Sequence, residues 1–132
     1  MTTNNTPLEA VEQQAFAEWL EWQGLKHTAI VNETYTKSWK QKLKNKRAGL
    51  NPGLSDMLVL IRPSESKDGE GYTLYIEMKR QKGGVQSADQ KEWERELNGL
   101  NVPNIQYYLC KGCDEAVKVV SHYLKTVGKS IF

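Results

Sequence analysis

The 132-residue sequence predicts an α/β fold with elements in the order α-β-β-β-α-β-α, a mixed four-stranded sheet flanked by helices. Three observations predict it. Apolar residues alternate along residues 72–79, as in a strand with one face buried. Two segments carry helix caps followed by apolar residues at helical spacing. A further strand follows the second of those helices, and a right-handed crossover lays it parallel to the strand before.

Thr6-Pro7-Leu8-Glu9 predicts the first helix start, with Thr6 as N-cap, Pro7 at the first helical position and Glu9 closing a capping box. Val11, Ala15, Phe16, Trp19 and Leu20 then recur at helical spacing, and Gly24 ends the helix. Residues 28–32 read as the first strand. The basic stretch after them reads as a loop with room for a short helix, and Asp56–Arg62 as a second strand buried on both faces. An exposed connection, residues 63–71, returns the chain antiparallel into the third strand, Tyr72–Lys79. Ser87 caps the next helix, which runs to about Asn98 and is terminated by Gly99. Ile105–Cys110 is the fourth strand. The last helix carries Val117, Val119, Val120, Tyr123 and Leu124 and ends at Gly128, leaving Ile131 and Phe132 as a short apolar tail.

Size and composition bound the function. The chain is long enough for one core, so residues 1–132 are expected to form one domain with its core at about 8–124. Hydrophobic content of 39% with 26% charged residues excludes a disordered chain. No apolar run reaches the ~20 residues of a membrane span, and the polar start lacks the pattern of a secretory signal, so a cytoplasmic protein is expected.

The net charge of +2 is unevenly spread: residues 1–25 hold Glu9, Glu12, Glu18 and Glu21 with no Lys or Arg, whereas residues 26–47 hold seven basic residues against Glu33. Lys37, Lys40, Lys42, Lys44, Lys46 and Arg47 form a block suited to a polyanion, because each cation laid on a phosphate releases condensed counterions. Trp39 and Tyr35 offer stacking beside them. Arg80 and Lys82, just past the third strand, are further candidates for DNA contact.

Asp56, Glu77 and Lys79 carry the chemistry. Strand alternation puts Leu74, Ile76 and Met78 on one face of the third strand and Tyr75, Glu77 and Lys79 on the other. A carboxylate at a half-buried strand end, joined by Asp56, is costly to desolvate without a cation. Hard oxygen ligands suit Mg²⁺ or Mn²⁺, which polarises a phosphoryl oxygen, while Lys79 supplies positive charge to the attacking water. Phosphodiester hydrolysis fits this trio. The plainer explanation is a Glu-x-Lys ion pair on a solvated strand face.

The element order, with Asn51-Pro-Gly-Leu-Ser-Asp56, Glu77-Met78-Lys79, Ser87-Ala-Asp-Gln90-Lys-Glu-Trp93 and Glu9-Ala-Val-Glu-Gln13, resembles the virus-type replication-repair nuclease (VRR-NUC) family of the PD-(D/E)XK superfamily. The resemblance implies a restriction-endonuclease-like fold and a Mg²⁺- or Mn²⁺-dependent DNA endonuclease. It implies Asp56, Glu77 and the Met78 carbonyl as metal ligands, with Glu9 reaching the metal through water. Lys79 would activate the nucleophilic water, and Gln90 would hold water or phosphate. It further implies homodimers acting on branched DNA such as Holliday junctions, with no organic cofactor. Ser55 stands where the family usually has Pro, which bears on the stiffness of the turn.

Helix capping explains two of these residues equally well: Glu9 with Thr6, and Gln90 with Ser87. One side chain is not expected to cap and to serve a site together. Glu12 is an alternative acid on the first helix, and Trp93 and Trp19 read as core. Two other functions compete. One is a DNA-binding module without a catalytic centre; the other is thiol-disulfide chemistry at Cys110-Lys-Gly-Cys113. His27 and His122 show no metal-ligand spacing.

Overall fold

The computed structural model describes residues 6–31 and 38–126. They form α1 (Glu9–Gln23), β1 (Lys26–Ala29), α2 (Trp39–Arg47), β2 (Met57–Ile61), β3 (Tyr72–Lys79), α3 (Ala88–Gly99), β4 (Ile105–Lys111) and α4 (Cys113–Tyr123). The sheet order is β1-β2-β3-β4, antiparallel except for the parallel pair β3–β4. This is the expected α/β fold with a mixed four-stranded sheet, and α2 is the short helix for which the basic block has room.

Alternation along β3 divides the molecule. Leu74, Ile76 and Met78 are fully buried with Met57, Val59 and Ile61 of β2, Cys110 of β4, and Phe16, Trp19 and Leu20 of α1. Helices α1 and α4 pack together over this face. Each such apolar side chain contributes roughly 1.5–3 kcal/mol by leaving water. Trp19 is core, as its spacing predicts. Glu77 and Lys79 point to the other face, where α3 lies across β3 and β4.

Several boundaries differ from expectation, each for a local reason. Leu8, not Thr6, is the N-cap of α1: its ψ of 152° is extended, and it makes no side-chain cap bond. The Thr6 carbonyl accepts instead from the Arg80 guanidinium at 3.0 Å, which holds this segment against the end of β3. Strand β1 starts at Lys26 rather than residue 28, and its pairing continues through the Ile30 N–H to the Asp56 carbonyl. Strand β2 is buried on one face alone. Leu58 is half-buried and Leu60 exposed, because α3 covers β4 rather than β2.

Helix α3 includes Gly99, and the reversal falls on Asn101 at φ 56°. Helix α4 stops at Tyr123, short of Gly128, because Leu124 becomes extended and bridges to Ser66. The Lys67 and Lys125 N–H groups bond across that bridge to the Tyr123 and Glu65 carbonyls. Gly128, Ile131, Phe132, Tyr35 and Lys37 lie outside the described residues.

Candidate active site

Asp56 is held by backbone before any ligand is considered. Its N–H donates to the Ile76 carbonyl at 3.2 Å, and its Oδ2 accepts the Met78 N–H at 2.6 Å. The carboxylate therefore lies beside β3 at Met78. In an extended strand the N–H and C=O of one residue point to the same edge, so the Met78 carbonyl faces the side on which Asp56 stands.

One carboxylate oxygen from each of Glu9, Asp56 and Glu77 lies within 4.8 Å of the others. They come from the first turn of α1, the head of β2 and the end of β3, so the fold itself assembles the cluster. Glu9 is free for it because it closes no capping box. Glu12 turns elsewhere: it is buried, and its Oε2 accepts from the Gln81 amide at 3.0 Å. Gly112, at φ 97°, leaves room for that oxygen, which would sit 2.7 Å from a Cβ. The Gly112 N–H donates to the Lys79 carbonyl at 2.9 Å, fixing the end of β3 from its parallel neighbour.

Glu77 is buried. Its Oε1 accepts from the Gln90 amide at 2.5 Å and lies 3.5 Å from Lys79 Nζ. Its Oε2 has no hydrogen-bond partner among the described residues. Burial, then the nearby Asp56 carboxylate, push the Glu77 carboxyl up to about 8 against the opposing pull of Lys79. Burial also raises the Glu9 carboxyl, with Lys79 opposing and Asp56 adding to the rise.

Crowded, partly desolvated acids with a buried lone pair to spare fit a divalent cation. The donor set, carboxylates with a backbone carbonyl alongside, is the hard oxygen type that Mg²⁺ and Mn²⁺ prefer.

Gln90 does the two things expected to exclude each other. Its Oε1 accepts the Ser87 N–H at 2.8 Å while Ser87 Oγ accepts the Gln90 N–H, completing the capping box. Its amide nitrogen, thereby turned away from the cap, donates to Glu77. A primary amide has both a donor and an acceptor end, and the cap decides which end faces the acids.

Trp93 is half-buried rather than core, and its ring N–H donates to the Pro52 carbonyl at 3.0 Å. Gly53, at φ 92°, approaches so closely that a Cβ would meet Asp89 Cβ at 2.8 Å. These contacts seat the Asp56 turn on the first turn of α3. The spacing of Trp93 gives no sign of this, whereas Pro52-Gly53 ahead of Asp56 is a readable signal of close approach. Ser55 is buried and donates to the Met57 carbonyl at 3.3 Å, a tether in place of the family's proline. Pro52, Gly53, Asp56, Lys79, Val85, Ser87, Asp89 and Gln90 line an open cleft of about 350 Å³.

The basic candidates separate. Lys40, Lys42, Lys44, Lys46 and Arg47 are exposed along α2, and Lys82 is exposed beyond β3. Arg80 is half-buried, with its Nη2 engaged by Thr6, so it is structural here rather than presented to solvent. Both cysteines are buried and unpaired; burial first, with nearby acids, pushes Cys110 up to about 12 and Cys113 up to about 11. Thiols that hold their protons so firmly are poor nucleophiles, which counts against redox chemistry.

A mixed sheet carries Asp56 at the head of one strand and Glu77-Met78-Lys79 at the end of the next, the placement that the sequence resemblance implies. The VRR-NUC domain model matches residues 5–114, and the chain belongs to that nuclease-type family. A solved structure described as a VRR_NUC domain protein shares the fold, with a TM-score of 0.67 over 90% of this chain and 89% of that one at 20% identity. No curated protein matches the sequence. No helix among the described residues is long and apolar enough to cross a membrane.

Proposed function

We propose that this protein is a Mg²⁺- or Mn²⁺-dependent DNA endonuclease, acting as a homodimer on branched DNA such as four-way junctions. The observation that carries the reading is the meeting of Glu9, Asp56 and Glu77 within 4.8 Å, beside a buried lysine.

Asp56 and Glu77, with the Met78 carbonyl, would hold the metal directly, and Glu9 would complete its surroundings. The ion would supply Lewis acidity to a phosphoryl oxygen and charge stabilisation to the departing one. The chain's own residues do the rest. Lys79 is oriented by Glu77 and places an ammonium where a water attacks or negative charge develops. Gln90 holds Glu77 in one rotamer and lines the cleft, within reach of water or phosphate. The α2 cations and Lys82 would take neighbouring phosphates. Two copies would offer two cuts on a symmetric junction, for which one small domain has too little surface.

A labelled four-way junction, flap, duplex and single strand, each incubated with Mg²⁺, Mn²⁺ or EDTA, test the reading. Cutting is expected only with metal and is lost in Asp56→Ala and Lys79→Ala. Cutting that survives EDTA or either substitution overturns the assigned centre. DNA binding without cutting under every condition points to the non-catalytic module.

A further inference from the structure

We propose that Trp39 stacks on an unpaired nucleobase, making α2 the element that favours DNA with bases outside a continuous duplex. The proposal rests on the DNA reading above and adds a residue that selects among DNA forms.

Two tryptophans are largely exposed, and their surroundings are opposite in charge. Trp22 on α1 is 66% exposed with Glu18 and Glu21 close in the helix; Trp39 on α2 is 82% exposed, with Lys40 and Lys42 close to it. From Trp39 to Ser55 the chain has five basic residues and no acid. Lys42 Nζ lies 5.9 Å from the centroid of the Trp39 ring, and the ring remains open to solvent. Leu43, one turn on, is also exposed. No residue of α2 is buried, so Trp39 has no place in the core to explain it.

An indole exposed among cations, outside the core of the described residues, is chemically matched to a base π-face whose phosphates meet the lysines. A base within a duplex has both faces covered by its neighbours, so only an unstacked base can use the ring. The placement suits a hydrolytic site: the acid-free segment runs directly into Pro52 and Gly53, which line the acidic cleft.

Equilibrium binding in EDTA, where no cutting interferes, separates the forms. The probes are a labelled blunt duplex, the same duplex with an internal loop of unpaired thymines, and a single-stranded oligothymidine. Trp39→Leu keeps apolar bulk without a π-face and should weaken the looped and single-stranded probes about tenfold, leaving the blunt duplex within about twofold. Trp39→Phe should keep most of the affinity, and Trp22→Ala all of it.

Equal weakening on all three probes, or none, overturns the proposal. So does a shift from dimer to monomer in Trp39→Leu by sedimentation, which would assign the ring to a contact between copies. Trp39-dependent binding in a protein that cuts no DNA counts against the hydrolase reading and supports this one. Cutting with unchanged affinities in Trp39→Leu does the reverse.

Discussion

The Gln90 amide donates to Glu77 Oε1 at 2.5 Å while its own oxygen accepts the Ser87 N–H, so one side chain joins a helix cap to the acidic cluster. The geometry of the site is thus tied to the start of α3.

Two substitutions separate these jobs. Gln90→Glu retains an oxygen for the cap but adds a carboxylate beside Glu77 and removes its donor. Stability should hold within about 0.5 kcal/mol when metal is bound, and cutting should fall about tenfold to a hundredfold. Gln90→Ala should lose about 1 kcal/mol as well, through the cap. Urea melts alongside junction-cutting rates check both.

Glu77 predicts an inverse relation between stability and activity in pH. Its folded carboxyl, at about 8, lies above the ordinary 4.5, so without metal the native state keeps a proton that the unfolded chain has released. Metal-free stability should therefore fall as pH rises from about 4.5 to 8, and Glu9, also raised, adds in the same direction. Metal must displace that proton, so metal affinity and cutting should rise over the same window. Glu77→Gln should abolish cutting and flatten most of the stability slope, read by melting temperature in EDTA across pH.

Gly53 and Gly49 share a φ of 92°, but only Gly53 meets neighbours that a Cβ would strike. Gly49→Ala should cost about 1 kcal/mol of backbone strain, and Gly53→Ala about 2–4 kcal/mol with loss of cutting, because the Asp56 turn must lift off α3. Trp93→Phe removes the bond to Pro52 and should cost about 1 kcal/mol. Chemical denaturation and metal titration measure each.

Replacing Lys42, Lys44 and Lys46 together with Ala should weaken binding to every DNA form alike and reduce the slope of log affinity against log salt by about 2–3. Fold should be unaffected, since none of the three is buried. A salt titration of the triple variant would show whether α2 meets phosphates.

Much of this was legible in the chain because it depended on local rules. Alternation along 72–79 gave the two faces of β3, Ser87 gave the start of α3, and the apolar spacing of Phe16, Trp19 and Leu20 gave the buried stripe of α1. Asp56, Glu77 and Glu9 could be nominated, but their convergence depends on how three separate elements pack.

The misses lie where tertiary contacts overrode local preference. Thr6 has every feature of an N-cap, yet Arg80, distant in sequence, takes its carbonyl. The apolar run of β2 reads as doubly buried, but Leu58 and Leu60 lie beyond the reach of α3. For Gln90 the sequence shows the capping oxygen, whereas the free amide nitrogen finds Glu77 only once α3 packs against β3.

Gly112 carries a consequence for the lineage of this protein. Its missing side chain is the space into which Glu12 reaches, and its N–H steadies the strand end bearing Lys79. A Cβ at 112 would also meet Gln81 Cγ at 2.8 Å, and the φ of 97° disfavours any side chain there, so shortening Glu12 alone would not admit a larger residue. Position 112, 100 residues from its neighbour Glu12, is held to glycine from three sides.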